Sequence, residues 1–541
     1  MRQIYCSAAA GSHANPRPKF EASCRQSRGT ITGHFVSVEF MGKLAVKQTL
    51  VGVLVAGVGC ISIIALILTV VQHEEVNLPS SKYGIVFDAG SSHTTLFLYQ
   101  WPREKENSTG VVSQVLFCDV DGPGISGYAQ DPPGAGQSLK KCLDVAKGAV
   151  PPGQWGETPV ALGATAGMRL LNLQNSIQAN QVMEEVKKTM QGYPFDFRGA
   201  KILSGMEEGA YGWITINYLL DGFIKYSFQG KWLHPVGAKT QGALDLGGAS
   251  TQITFQPKES IQDPQTAAHF RLYGVDYDVY THSYLCYGKD QVMRQLQAEL
   301  HKAGGPNYSS IRGRIIHPCY HDGFELKMTL GDLYSSPCIN RTAEIDLSAS
   351  VTFSGNSNPD QCLALIKKIF NFTQCNFYPH CSFNGIYQPP VDGIFFAFSA
   401  YFYTFNILGL TPQAKVEQAN NTIDSFCRKN WKMVKTEHPT EKDKHLQDYC
   451  GSAVYITTLL LDGYKFKSWD NIYFQKKAAD ADIGWTLGYM LNLTNLISSE
   501  APVVVKGVQS EQWTAGVFFI VFAIFLSCLI LLVLFAWNPN Y

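Results

Sequence analysis

The stretch VFDAGSSHTTLFLY, residues 86–99, decides how the chain is read. An apolar run ends on Asp88, a turn of Gly and hydroxyl residues follows, and an alternating apolar strand resumes at Thr94. That pattern is a β-hairpin. Alone it is equally an Asx hairpin or an anion-holding turn, because the N–H groups of a Gly-Ser turn converge on a phosphate as readily as they join two strands. Its counterpart lies 157 residues further on, Asp88 to Asp245, in ALDLGGASTQITFQ, residues 243–256. Both copies run apolar-apolar-Asp-x-Gly-small-small, then Thr and an alternating strand. An internal repeat of this kind predicts a duplicated domain. Two related turns can face each other across a cleft and grip one polyphosphate, with an Asp at each strand tip directed at a divalent ion or its water shell.

Around the first copy the chain alternates strands and helices. GQSLKKCLDVAKGAV has helical periodicity, TPVALGATAGMRLL reads as strand, small-residue turn and helix start, and AKILSGMEEGAYGWITINYLL as strand, turn and long helix. This β-β-α-β-α grammar predicts an α/β domain. Within it, Thr165 of GATAGMR is a phosphate- or water-contacting hydroxyl or a helix N-cap. Of the adjacent acids in SGMEEGAYGW, at most one enters a cleft, where a carboxylate serves as general base; the other reading is a first helical turn favoured by the dipole. Helical periodicity makes ADIGWTLGYMLNLTN a packing helix with Trp485 as a core aromatic. FFAFSAYFYTF, residues 395–405, is core or a base-stacking platform.

The 541 residues exceed one core, so several domains are expected. Two uncharged runs, Leu50–Val71 and Ala515–Trp537, are long enough to cross a membrane. The first is too long for a signal-peptide core and lacks an A-x-A site. Before it lie Arg2, Arg17, Lys19, Arg25, Arg28, Lys43 and Lys47 against Glu21 and Glu39, and after it come Glu74 and Glu75. The positive-inside bias puts the N-terminus in the cytosol and residues ~72–512 outside. Residues 1–40 read as unstructured, with Met41 a candidate initiator. Net charge is zero, so nucleic acid is not expected as a partner. Ten of the 14 cysteines fall between the spans, an even number that reads as five disulfides in an oxidising compartment. In the same region are six Asn-x-Ser/Thr sequons, Asn107, Asn307, Asn340, Asn371, Asn420 and Asn492, as in a glycosylated ectodomain. A zinc site has neither CxxC pairs nor His-rich spacing to support it.

Taken in order, DAGSSHT, GATAGMR, GMEEGAYGW, DLGGASTQ and GWTLGYML resemble the five apyrase-conserved regions of the ecto-nucleoside triphosphate diphosphohydrolases, cell-surface branch. The likeness runs from about Lys82 to Asn495. It implies an actin-like α/β fold of duplicated RNase H-like domains with one transmembrane helix at each end. The implied organisation is a cytosolic tail 1–49, a span 50–71, lobe I at 79–204 plus 476–505, lobe II at 205–475, and a span 515–537. By resemblance the chain is an apyrase at the plasma membrane, two-pass, with an extracellular active site. It would hydrolyse ATP, ADP, UTP and UDP to monophosphates with Ca²⁺ or Mg²⁺ and so regulate purinergic signalling.

The resemblance also assigns roles. Glu208 is the general base, and Ser250 and Gln252 position the water. Asp88, Asp245, Thr165 and Trp485 hold the metal shell, mostly through water. Ser91, Ser92, His93, Thr94, Gly247, Gly248 and Ala249 cradle phosphates, and Tyr403 stacks the base, with a second stacking position near His445. Met206 replaces the more usual Gln before the Glu pair. The implied disulfides are Cys118–Cys142, Cys286–Cys338, Cys319–Cys362, Cys375–Cys381 and Cys427–Cys450. Implied partners are the nucleotides and membrane lipid, with the transmembrane helices as a route to a homo-oligomer. A sugar kinase of the same superfold and a non-catalytic nucleotide receptor are the competing readings. The extracellular location argues against the first and the acids at 88, 208 and 245 against the second.

Overall fold

The structure is a computed structural model. It describes residues 35–71, 81–102, 112–223, 225–226, 232–233, 239–304, 314–341, 345–375, 378–494 and 510–536. The chain forms two compact units, residues 78–505 and the two ends, 1–77 with 506–541. In the unit made by the ends, α1 (Phe35–Val71) packs against α7 (Ser510–Ala536). Their membrane-length apolar windows are Thr49–Ile67 and Thr514–Leu534. Gly59 lies against Ser527, whose hydroxyl is satisfied within its own helix by the Ala523 carbonyl at 2.8 Å. Contrary to expectation, helix begins at Phe35, inside the stretch read as unstructured: α1 is apolar well beyond the span and continues into it.

The first sheet of the larger unit has β1 (Ser81–Ala89), β2 (Thr94–Pro102), β3 (Ser113–Asp119), β4 (Pro159–Ala164) and β5 (Asp196–Ile202), in the order β3-β2-β1-β4-β5. β1 pairs antiparallel with β2 and parallel with β4, and β4 parallel with β5. Central strands read as unbroken apolar runs because both faces are covered: Ile85, Val86 and Phe87 are fully buried. The edge strand β3 instead alternates, and Cys118 on its inner face is joined to Cys142 of the covering helix.

The second sheet repeats this plan. It contains β6 (Gly242–Leu246), β7 (Ser250–Phe255), β8 (Ala267–Leu272), β9 (Val275–Leu285), β10 (Phe395–Ser399) and β11 (Ile472–Phe474), ordered β8-β9-β7-β6-β10-β11. With β8 set aside as an added edge, the order matches the first sheet strand for strand, including the parallel β6/β10 and β10/β11 pairs. Asp88 faces Thr95 on one neighbour and Gly163 on the other; Asp245 faces Gln252 and Phe398. The chain is thus a duplicated actin-like α/β fold with an apolar helix near each end. α2 (Ala166–Gln174) follows β4, and α5 (Ala400–Ile407) follows β10 in the same position.

Three further helices frame the cleft: α3 (Gly205–Leu219), α4 (Lys289–Gly304) and α6 (Trp485–Leu493). α6 returns the chain to the first sheet. It packs on α3 so closely that a Cβ at Gly488 would lie 2.2 Å from the Tyr211 carbonyl oxygen, and the Gly488 N–H donates to Thr215 at 2.8 Å. Disulfides join Cys286–Cys338, Cys319–Cys362, Cys375–Cys381 and Cys427–Cys450 around the second sheet.

Candidate active site

The two Asp-Gly hairpins meet. A Cβ on Gly248 would sit 2.6 Å from Ser91 Oγ and 2.5 Å from Asp290 Oδ2, so any side chain there would displace these two side-chain ends. The second loop is held from behind by the first turn of α4. The Gly247 carbonyl accepts from Lys289 N at 2.9 Å, and the Gly248 carbonyl from Asp290 N at 2.9 Å and Gln291 N at 3.1 Å. In the first loop Ser92 and His93 are exposed and bond each other at 3.0 Å, Ser91 is half-buried and Thr94 is buried. Ala249 packs against Ala166 and Leu170 of α2.

At the start of α3 both readings of the Glu pair hold, one for each acid. Glu207 closes a capping box with Ser204 and pairs with Lys201 at 2.7 Å. Glu208, one residue on, turns inward and is only 7% exposed. Its Oε2 receives Arg169 at 2.8 Å and Gln252 Nε2 at 3.1 Å. Gln252 Nε2 also reaches Ser250 Oγ at 2.7 Å and Ser283 Oγ at 2.9 Å, and Arg169 donates to Ser250 Oγ at 3.0 Å. Gln252 Oε1 is buried without a partner among the described residues. Glu208, Ser250 and Gln252 therefore form one hydrogen-bonded group. Arg169 and Ser283 complete it, two residues that sequence reasoning did not single out.

Three acids share this interior. Burial pushes the Asp88 carboxyl well above the usual range, and the charges of Glu208 and Asp245 add to it, opposed by a hydrogen bond from Trp485. Asp245 is pushed up to about 7 by burial and by Glu208, opposed by a bond from Ser399. Burial raises Glu208 too, and Arg169 works against it. With a single close arginine, the ionised cluster carries excess negative charge. Asp88 Oδ1 is fully enclosed and bonded to no group among the described residues, an orphaned hard oxygen of the kind a divalent cation or its water takes. Among the described residues no three His, Cys, Asp or Glu side chains converge as a ready-made cage. These donors fit Ca²⁺ or Mg²⁺ bound with water and substrate oxygens completing the shell.

The remaining predicted residues have distinct placements. Thr165 is the N-cap of α2 by position yet makes no capping bond. Trp485 lies on Gly163, where a Cβ would be 2.3 Å from its ring. Its indole is a donor, so it acts on Asp88 and not as a direct ligand. Tyr403 is 49% exposed on α5, with Lys476 Nζ 5.8 Å from its ring centre. His445 is exposed to solvent at its surface side, and partial desolvation of its ring, with neighbouring Lys444 and Lys289, lowers its pKa. Behind the second loop, Lys289 reaches Asp290 at 2.7 Å and Asp448 at 3.7 Å, a cluster the sequence did not reveal.

Residues 74–506 match the model of the GDA1/CD39 (nucleoside phosphatase) family. The chain belongs to that family. Among curated relatives, ectonucleoside triphosphate diphosphohydrolase 8 of Gallus gallus is 52% identical, over 88% of this chain and 96% of that protein. The human type 8 protein is 47% identical over 89% and 96%. Ectonucleoside triphosphate diphosphohydrolase 2 of Mus musculus is 46% identical over 85% and 92%. A solved nucleoside triphosphate hydrolase from Neospora caninum shares the fold at TM-score 0.57 and 16% identity, covering 81% of this chain and 95% of that one. The GDA1/CD39 member described here is therefore an apyrase-type hydrolase of nucleotide phosphates, and its two apolar helices are each long and apolar enough to cross a membrane, as an anchor requires.

Proposed function

We propose that the chain removes the terminal phosphate of extracellular nucleoside tri- and diphosphates, ATP, ADP, UTP and UDP among them, and stops at the monophosphate. The carrying observation is the Glu208 group: a buried carboxylate held by Arg169, Gln252 and Ser250 between two acid-tipped hairpins. Ser91, Ser92, His93 and Thr94 on one side, and Gly247, Gly248 and Ala249 on the other, bind and orient the phosphates. Ser250 Oγ and the unpartnered Gln252 Oε1 orient the water, and Glu208 takes its proton as the water oxygen attacks phosphorus. The bond to the bridging oxygen breaks, and the shortened nucleotide leaves. Arg169 works against the burial of Glu208 and favours its ionised form, the one that can accept a proton. Asp88 and Asp245, with Thr165 beside them, would hold Ca²⁺ or Mg²⁺, which when bound offsets phosphate charge. Trp485 steadies Asp88, and Tyr403 offers its exposed face to the base.

The charge bias across the first span supports a two-pass protein of the plasma membrane with the site outside, acting in purinergic signalling. The described sequons Asn340, Asn371, Asn420 and Asn492 are all exposed, as glycan attachment requires; Asn107 and Asn307 lie outside the described residues. A phosphate-release assay with ATP and Ca²⁺, with and without EDTA, followed by nucleotide chromatography, tests this reading. The expected result is free phosphate and AMP, abolished by EDTA. Transfer only to an added sugar, or binding without turnover, overturns it.

A further inference from the structure

Ser399 ends β10 and occupies the N-cap position of α5, the place that Thr165 occupies between β4 and α2. Ser is among the best N-cap residues, and capping would bring its hydroxyl to the first free N–H groups of the helix. Neither Thr165 nor Ser399 does so. Ser399 departs further from the ordinary. Its backbone sits at φ 55 and ψ −128, a left-handed conformation that costs a residue with a Cβ and persists where the surroundings enforce it. A sharp strand-to-helix turn of this kind lifts the side chain off the end of the sheet. β10 and β6 are parallel neighbours, with Phe398 opposite Asp245 and Ser399 opposite Leu246, so the turn stands one residue beyond that acid. The Ser399 hydroxyl works against the rise that burial imposes on the Asp245 carboxyl. Four residues on, the same helix carries Tyr403.

We infer that Ser399 is a positioning residue: the strained turn aims its hydroxyl at Asp245 and fixes that carboxylate for the divalent cation, while α5 carries Tyr403 away from the same fixed point. The inference rests on the proposed cation-dependent phosphate chemistry and goes beyond it by adding an unassigned residue. The strain is the feature that separates positioning from plain structure. Glycine at 399 relieves it and removes the hydroxyl; alanine keeps it and removes the hydroxyl.

The test measures thermal melting of the full-length protein against Ca²⁺ with a β,γ-imido ATP analogue, which needs no turnover. For both Ser399→Ala and Ser399→Gly, the half-saturating Ca²⁺ concentration should rise about tenfold or more, the effect expected for losing a hydrogen bond to a charged group. Without Ca²⁺, Ser399→Gly should melt at or above the wild type. A half-saturating Ca²⁺ within twofold of wild type in both variants overturns the inference while leaving the proposed function standing. So does a Ser399→Gly protein that melts lower with unchanged Ca²⁺ response, since that is a merely structural serine. A wild type that shows no Ca²⁺ response with the analogue removes both.

Discussion

The two hairpins share a register and differ in how each is held. Asp88 and Asp245 occupy the same place in matching sheets. Around Asp88 the carboxyl has few partners: Oδ1 has none among the described residues, and the loop tip is exposed at Ser92 and His93, held through the main chain by Gly124 N on the Ser92 carbonyl at 3.2 Å and Thr165 N on that of Ala89 at 3.0 Å. Around Asp245 the frame is denser. Thr251 Oγ1 donates to the Asp245 main-chain carbonyl at 2.8 Å, and α4 grips the loop from behind. Duplication preserved the geometry that chemistry needs and let the supports diverge.

The largest break in this comparison comes from the acids. Asp88→Asn and Asp245→Asn should each lower cation-dependent turnover by about 10³-fold, since a metal contributes several kcal/mol to the transition state. Steady-state phosphate release measures it. If one substitution is near neutral, the jaws do not work as a pair.

Next comes the contact between the loops. Gly248→Val places a branched side chain where even a Cβ would be 2.6 Å from Ser91 Oγ. Turnover should fall about 10²-fold, the scale of a 1 Å misplacement, with melting little changed because the loop lies at the surface of the cleft. Activity within threefold of wild type would mean that the loops need not approach.

The smallest effect is on pH. Asp245 is pushed up to about 7, above its unfolded value near 4. Its protonated form is the one that burial favours, so its stabilising contribution is full below pH 4 and is lost as pH rises toward and through 7. In EDTA, melting should therefore decline from pH 5 to 8 by this group. Added Ca²⁺ should widen its stabilisation over the same window, and Asp245→Asn should flatten it. A Ca²⁺ effect independent of pH contradicts the assignment.

Much of this was legible in the sequence because it is carried by local pattern. The repeated Asp-x-Gly turns announce two matching sheets, and a Glu pair after Ser204 separates into one cap and one inward acid because adjacent helical residues point in different directions. Partners are harder to read. Nothing in GATAGMR says that Arg169 crosses to Glu208, and Lys289 meets Asp448 only through tertiary folding. Ser399 was hidden for another reason. It sits in FFAFSAYFYTF, where the aromatic residues dominate the pattern. Aligning the two copies as far as the strand-to-helix turn, where Thr165 already stood out, is the signal that finds it.

The central claim is that Glu208 activates the water, and Glu208→Gln tests it most directly. The substitution keeps the size of the side chain and an oxygen for Arg169. Phosphate release at saturating Ca²⁺ and ATP should fall by ~10²–10⁴-fold, the usual value of a positioned base, with binding of the imido analogue retained. Turnover near that of the wild type would contradict the account.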